Sequence, residues 1–112
     1  MLDIATETDN SVQVLKLIGR LDSNTSPQLE KELLGRVNDG QAKLVVDFTQ
    51  LDYISSAGLR VLLMAAKKSK QTSGRLALCC LKEHIREVFE ISGFFGILTI
   101  CPSQGEAVAA VG

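Results

Sequence analysis

Tryptophan is absent from this chain, tyrosine occurs once and phenylalanine four times. So small an aromatic supply leaves no stacking platform for single-stranded nucleic acid. Positive charge is not in excess either: 12 Lys and Arg stand against 13 Asp and Glu, for a formal net charge of −1. A phosphate backbone would find no basic counterpart, so nucleic acid is not an expected partner. No apolar run approaches the roughly 18–20 residues that a bilayer-crossing helix needs, and the amino terminus lacks a basic segment followed by an apolar one. The expectation is a soluble, cytoplasmic protein with no membrane partner. Three cysteines, Cys79, Cys80 and Cys101, are an odd set without CxxC spacing, which fits a reducing compartment better than a disulfide framework. The single histidine, His84, sits beside Glu83 and Arg86 at an exposed helix start and reads as a surface residue. Asp22, Asp47 and Asp52 read as turn and capping acids, since no ligand spacing supports a metal, and no cofactor is expected.

What is present is an alternation of strand and helix patterns over 112 residues, enough for one domain spanning 1–112. A short first strand and Val12–Ile18 flank the turn-forming Thr8-Asp9-Asn10-Ser11, which predicts a hairpin. Ser23, Asn24, Thr25, Ser26 and Pro27 form a helix-starting cluster, and Leu29, Leu33 and Val37 give the following helix one buried face before Asp39-Gly40 ends it. Lys43–Phe48 is a nearly unbroken apolar run, as expected of a central strand covered on both faces. A long helix from about Ala57 to Thr72 carries Leu59, Leu62, Leu63 and Ala66 at i, i+3, i+4, i+7, and these are expected inward. Arg60, Val61, Met64, Ala65 and Lys68 are then expected on the outer face, with Lys67, Lys68 and Lys70 as a solvated helix end.

A further strand over Arg75–Leu81 should set Cys79 and Cys80 on opposite faces as core filler. Glu83–Ser92 should be a short helix with Ile85, Val88 and Phe89 inward. Gly93 and Gly96 bracket Phe94-Phe95, Ile97–Ile100 closes the sheet, and Gln104–Val111 forms a small terminal helix. The expected fold is therefore α/β: a small single-layer mixed sheet, an amino-terminal hairpin followed by parallel strands, with helices packed on it. Loops beyond the carboxyl ends of parallel strands share one edge, which predicts Asp22 beside a turn running from Asp47 to Ser56. Ser55 and Ser56 fall where a helix takes its cap, and a phosphate there would meet unpaired N–H groups in the first turn.

At this point the residues resemble a known family. Asp47 to Leu62, centred on Tyr53-Ile54-Ser55-Ser56-Ala57-Gly58-Leu59, is similar to the signature of the STAS domain family, in particular the bacterial anti-sigma factor antagonists. Gly19-Arg20-Leu21-Asp22 resembles the family's Gly-x-Leu-Asp turn, and Ile85 to Phe95 its later helix and Ser-Gly-Leu-Phe-like corner. The resemblance implies a binding module that is not an enzyme. Such a module, when unphosphorylated, holds an anti-sigma factor that is also a serine kinase of the histidine-kinase-like ATPase type. Phosphorylation of one serine releases it, and a PP2C-type phosphatase resets the cycle.

Carried onto this chain, the family's Asp-Ser-[Ser/Thr]-Gly-Leu pattern implies Ser56 as the acceptor, with Ser55 standing where the pattern has Asp and Ala57 where it has a second hydroxyl. Ser55 is the second choice. Asp22, Asp47, Ser55, Ser56, Ala57 and Gly58 are the expected partner-binding edge, extended along the helix by Arg60, Val61, Met64 and Lys68. Two other readings compete: a STAS subunit of a stressosome-like or lipid-transport assembly without the switch, and a small thiol or hydrolytic enzyme using Cys79 or Ser56. The last lacks a placed base for either nucleophile.

Overall fold

The computed structural model describes residues 1–40, 42–93, 96 and 98–112. Its first two strands, β1 (Leu2–Asp9) and β2 (Val12–Leu21), form an antiparallel hairpin across Asn10 and Ser11. Both turn residues have positive φ, 50° and 69°, as a tight two-residue hairpin turn requires. Helix α1 (Ser26–Val37) leads to β3 (Lys43–Ile54), then α2 (Ser56–Gln71), β4 (Arg75–Cys79), α3 (Glu83–Ser92), β5 (Thr99–Cys101) and α4 (Gln104–Val111). The strands lie in the order β1-β2-β3-β4-β5, and every pair after the hairpin is parallel. Expected and observed architecture agree.

The sheet separates two apolar clusters. Leu15, Leu17, Leu44, Val46, Phe48 and Leu78 belong to the larger one, with buried residues of α1, α2 and α3. On the other face Val12, Val14, Val45, Ala77 and Cys79 pack with Ala107, Val108 and Val111 of α4. α1 buries Leu29, Leu33 and Val37, the spacing its sequence predicts. α3 buries Ile85 and Phe89, with Val88 half-buried, and the Phe89 ring meets Phe48 edge-on at 6.1 Å between centroids.

Several expectations need correction. β3 does not turn after Phe48 but continues to Ile54. Its buried residues there, Phe48, Leu51 and Ile54, recur every third position. Register shifts between Lys16 and Ile18 and between Gly19 and Arg20 on β2 accompany this, so irregular pairing broke the period of two by which the strand would have been read. β1 is also longer than expected, at eight residues.

The buried face of α2 is rotated from the expected one: Gly58, Leu59, Val61, Leu62, Ala65 and Ser69 are buried, whereas Leu63 and Ala66 are only half-buried. The helix packs against both the sheet and α1, so its buried arc is wider than a single stripe. β4 ends at Cys79, and Cys80 leaves the strand with φ 62°, so strand alternation does not set the two thiols on opposite faces. The last strand begins at Thr99. Ile97, Phe94 and Phe95 lie outside the described residues.

The approach of α2 to the sheet is closest at Gly58. A Cβ there would lie 2.7 Å from Leu21 Cγ, 2.8 Å from its Cδ2 and 3.1 Å from Ile54 Cγ1. Gly58→Val should therefore cost about 1–3 kcal/mol by overpacking. Urea denaturation at equilibrium checks this, and an unchanged midpoint would mean that the contact yields freely.

Candidate functional site

The carboxyl ends of β2 and β3 meet at Leu21 and Ile54, and the Ser55 N–H donates to the Leu21 carbonyl at 2.8 Å. That bond places the loop before α1 beside the first turn of α2. Ser55 is extended, with φ −96° and ψ 170°, and its Oγ accepts the Gly58 N–H at 3.3 Å. It is therefore the helix cap. Ser56 is the first helical residue and exposed, and among the described residues no hydrogen bond engages its hydroxyl. The two adjacent serines thus divide two tasks: one satisfies the helix end, the other presents a free hydroxyl at its positive pole.

Asp22 lies at this edge, half-buried, with its carboxylate folded onto its own loop. Oδ1 accepts the N–H groups of Asn24 at 2.9 Å and Thr25 at 3.1 Å, and the Thr25 hydroxyl at 3.2 Å. The Thr25 backbone hydrogen bond, more than any other influence, holds this carboxyl below its ordinary value. The Asp22 carboxylate is thus engaged in shaping its own loop. Asp47 does not reach the edge at all. It pairs with Lys16 and Cys79 in mid-strand, and its Oδ1 accepts the Thr49 N–H at 2.8 Å and hydroxyl at 2.6 Å.

Ala57 is half-buried and Gly58 buried, while Arg60 and Lys68 are exposed and Met64 is 38% exposed. Val61 is 6% exposed, so it supports the surface mostly from beneath. A cleft of about 570 Å³ between α1 and α2 is floored by Leu34, Leu63 and Met64 and edged by Arg60, Lys67 and Lys68, with no acidic residue in its lining. A smaller cleft, about 250 Å³, continues past Ala57, Val61 and Met64 to Ser26, Pro27 and Glu30. Ser56 stands one turn before Arg60 on α2, and further along that helix the larger cleft is apolar at its floor and basic at its edge.

Sequence reasoning missed the tip of β3. The Arg20 guanidinium stacks over the Tyr53 ring at 4.4 Å, and Lys82 Nζ lies 2.7 Å from Asp52 Oδ1, an ion pair that holds the Asp52 carboxyl below its ordinary value. His84 Nε2 lies 2.7 Å from the Asp52 carbonyl oxygen, which can only accept, so this nitrogen carries the proton. His84 is exposed as expected but not isolated. Only the extended length of β3 brings these groups together. Cys79 is fully buried, and burial above all drives its thiol upward, the opposite of what a thiol nucleophile requires.

The STAS domain family profile matches residues 3–107. The chain belongs to the STAS domain family. A Bordetella bronchiseptica protein named as an anti-sigma factor antagonist, BtrV, is 51% identical over 94 residues, covering 84% of this chain and 81% of that one. An anti-sigma factor antagonist from Mycobacterium paratuberculosis superposes with a TM-score of 0.89 at 23% identity, covering 99% of this chain and 94% of the other. SpoIIAA in a phosphorylated form, described as a Bacillus cell fate determinant, gives 0.73 at 21% identity, covering 98% of this chain and 100% of its own. At such identities the two superpositions speak for the fold alone. No helix among the described residues of this STAS domain is long and apolar enough to cross a membrane.

The division of labour between the serines has a measurable consequence. Ser55→Ala should cost about 0.5–2 kcal/mol through the lost cap, whereas Ser56→Ala should stay within about 0.5 kcal/mol of the parent. Thermal or urea unfolding of both variants checks this, and the reverse order would exchange the two roles.

Proposed function

We propose that this STAS domain is an anti-sigma factor antagonist that works by partner switching in the cytoplasm. Unphosphorylated, it binds an anti-sigma factor that is also a serine kinase of the histidine-kinase-like ATPase type, and so frees that factor's target. Transfer of the terminal phosphoryl group of ATP to Ser56 Oγ, with loss of the hydroxyl proton, ends the complex. A PP2C-type phosphatase hydrolyses the phosphoester and restores binding. The observation that carries this reading is the exposed Ser56 hydroxyl, left free because Ser55 takes the capping bond. Relatives named as anti-sigma factor antagonists support it.

The physics favours release without unfolding. A phosphoryl group adds about −1.5 to −2 charge at pH 7. On the free protein it sits at the positive end of α2, where that charge is tolerated. Pressed into a desolvated interface, the same charge costs about 2–5 kcal/mol when unpaired, or roughly one and a half to three and a half decades of affinity. The docking surface starts at Ser56 and takes in the cleft one turn along α2, with Met64, Leu63 and Leu34 at its apolar centre and Arg60, Lys67 and Lys68 around it. Val61 contributes through the packing beneath.

Two substitutions test the proposal. Ser56→Asp should keep the far-ultraviolet spectrum and melting point of the parent yet bind the cognate kinase at least tenfold more weakly by calorimetry; equal binding would remove the switch. Met64→Glu should likewise stay folded and weaken the complex at least tenfold, and full affinity would move the interface elsewhere. Incubation with kinase and ATP followed by peptide mapping reads the modified residue directly.

A further inference from the structure

Away from α2, on the sheet face that α4 partly covers, two thiols and a carboxylate converge. The ligand atoms of Asp47, Cys79 and Cys80 all lie within 4.8 Å of one another. Cys79 is fully buried, Asp47 is 6% exposed and Cys80 half-buried. Consecutive residues of a regular strand would point to opposite faces. Here Cys80 takes a left-handed conformation with φ 62°, which a side chain bearing a Cβ adopts only at a cost. The Cys80 N–H bonds to the Cys101 carbonyl at 3.3 Å and anchors that conformation to the next strand. Asp47 is oriented in turn: Thr49 donates both its N–H and its hydroxyl to Oδ1.

We propose that Asp47, Cys79 and Cys80 form a binding site for one thiophilic divalent cation of the zinc class. Two thiolates, formed as the incoming ion displaces their protons to solvent, and one carboxylate oxygen suit such an ion, with bonds of about 2.3 Å to sulfur and 2.0–2.2 Å to oxygen. Tetrahedral ligation brings ligand atoms about 3.3–3.8 Å apart, so the three side chains need close by only about an ångström. Thr49 supplies the outer hydrogen bonds that ligating carboxylates ordinarily have. A shallow depression of about 110 Å³ lined by Lys16, Leu17, Asp47, Thr49 and Gln50 opens on the Asp47 side of the cluster. Among the described residues of that lining the cation is Lys16, the cross-strand partner of Asp47, and its Nζ lies 3.2 Å from Glu7 Oε1.

The fourth position belongs to water, and Cys101, paired with Cys79 on β5, is a neighbour and not a ligand. Asp47 and Cys79 are also the last β3–β4 pair, beyond which β3 runs on to Ile54 paired only with β2. A bound ion clamps the sheet at that branch point. The site does not depend on the switch at Ser56.

The test uses the reduced, metal-stripped full chain titrated with Co2+, then Zn2+. Thiolate ligation should give near-ultraviolet sulfur-to-cobalt charge-transfer bands that saturate at about one ion per chain and vanish when Zn2+ displaces the probe. Cys80→Ser, at a half-buried position, should weaken binding at least tenfold and leave at most the weaker bands of one thiolate, and Asp47→Asn should weaken binding at least tenfold. Thr49→Val should weaken it roughly 10–100-fold, and Cys101→Ser should leave it unchanged, each variant having a parent-like circular dichroism spectrum. Absence of the bands in the parent, their undiminished survival in Cys80→Ser, or their loss in Cys101→Ser would overturn the assignment.

Discussion

The start of α2 is held by a backbone contact that only a glycine permits. The Ser55 N–H bonds to the Leu21 carbonyl, and one turn of helix later Gly58 presses its bare Cα against Leu21 and Ile54. These contacts join the carboxyl ends of β2 and β3 to the helix, so the position of Ser56 is set by the sheet and not by a flexible loop.

Around that point the molecule separates shape from chemistry. Asp22, Thr25 and Ser55 spend their polar atoms on the local backbone, while Ser56, Arg60, Met64 and Lys68 remain turned outward. Adding charge to Ser56 therefore disturbs no internal hydrogen bond. Under the proposed function, the effect of that charge falls on the partner's surface and leaves the fold alone. The opposite sheet face has a different character. Its small apolar cluster is completed by α4, and at its border the buried thiol of Cys79 and the carboxylate of Asp47 come together.

Much of this was legible in the chain. The hairpin, α1, α3 and α4 follow from turn residues, Pro27, Gly93 and apolar spacing, because each is a local pattern with a local cause. What misled was non-local. Bulged pairing with β2 hid the last six residues of β3. α2 has two neighbours, so the stripe counted on a single face put Val61 outside and Leu63 inside. Cys80 left its strand for a left-handed turn that its sequence does not announce.

The sequence by itself determined the family, the order of elements and the serine pair at the head of a helix, since these rest on residue types and spacings within a few turns of chain. Tertiary structure alone decided which serine is the cap, which side of α2 is free, and that Asp47 belongs with the cysteines and not with Ser56. Those outcomes depend on register between strands distant in sequence and on which neighbour a side chain meets. A local spacing cannot encode either one.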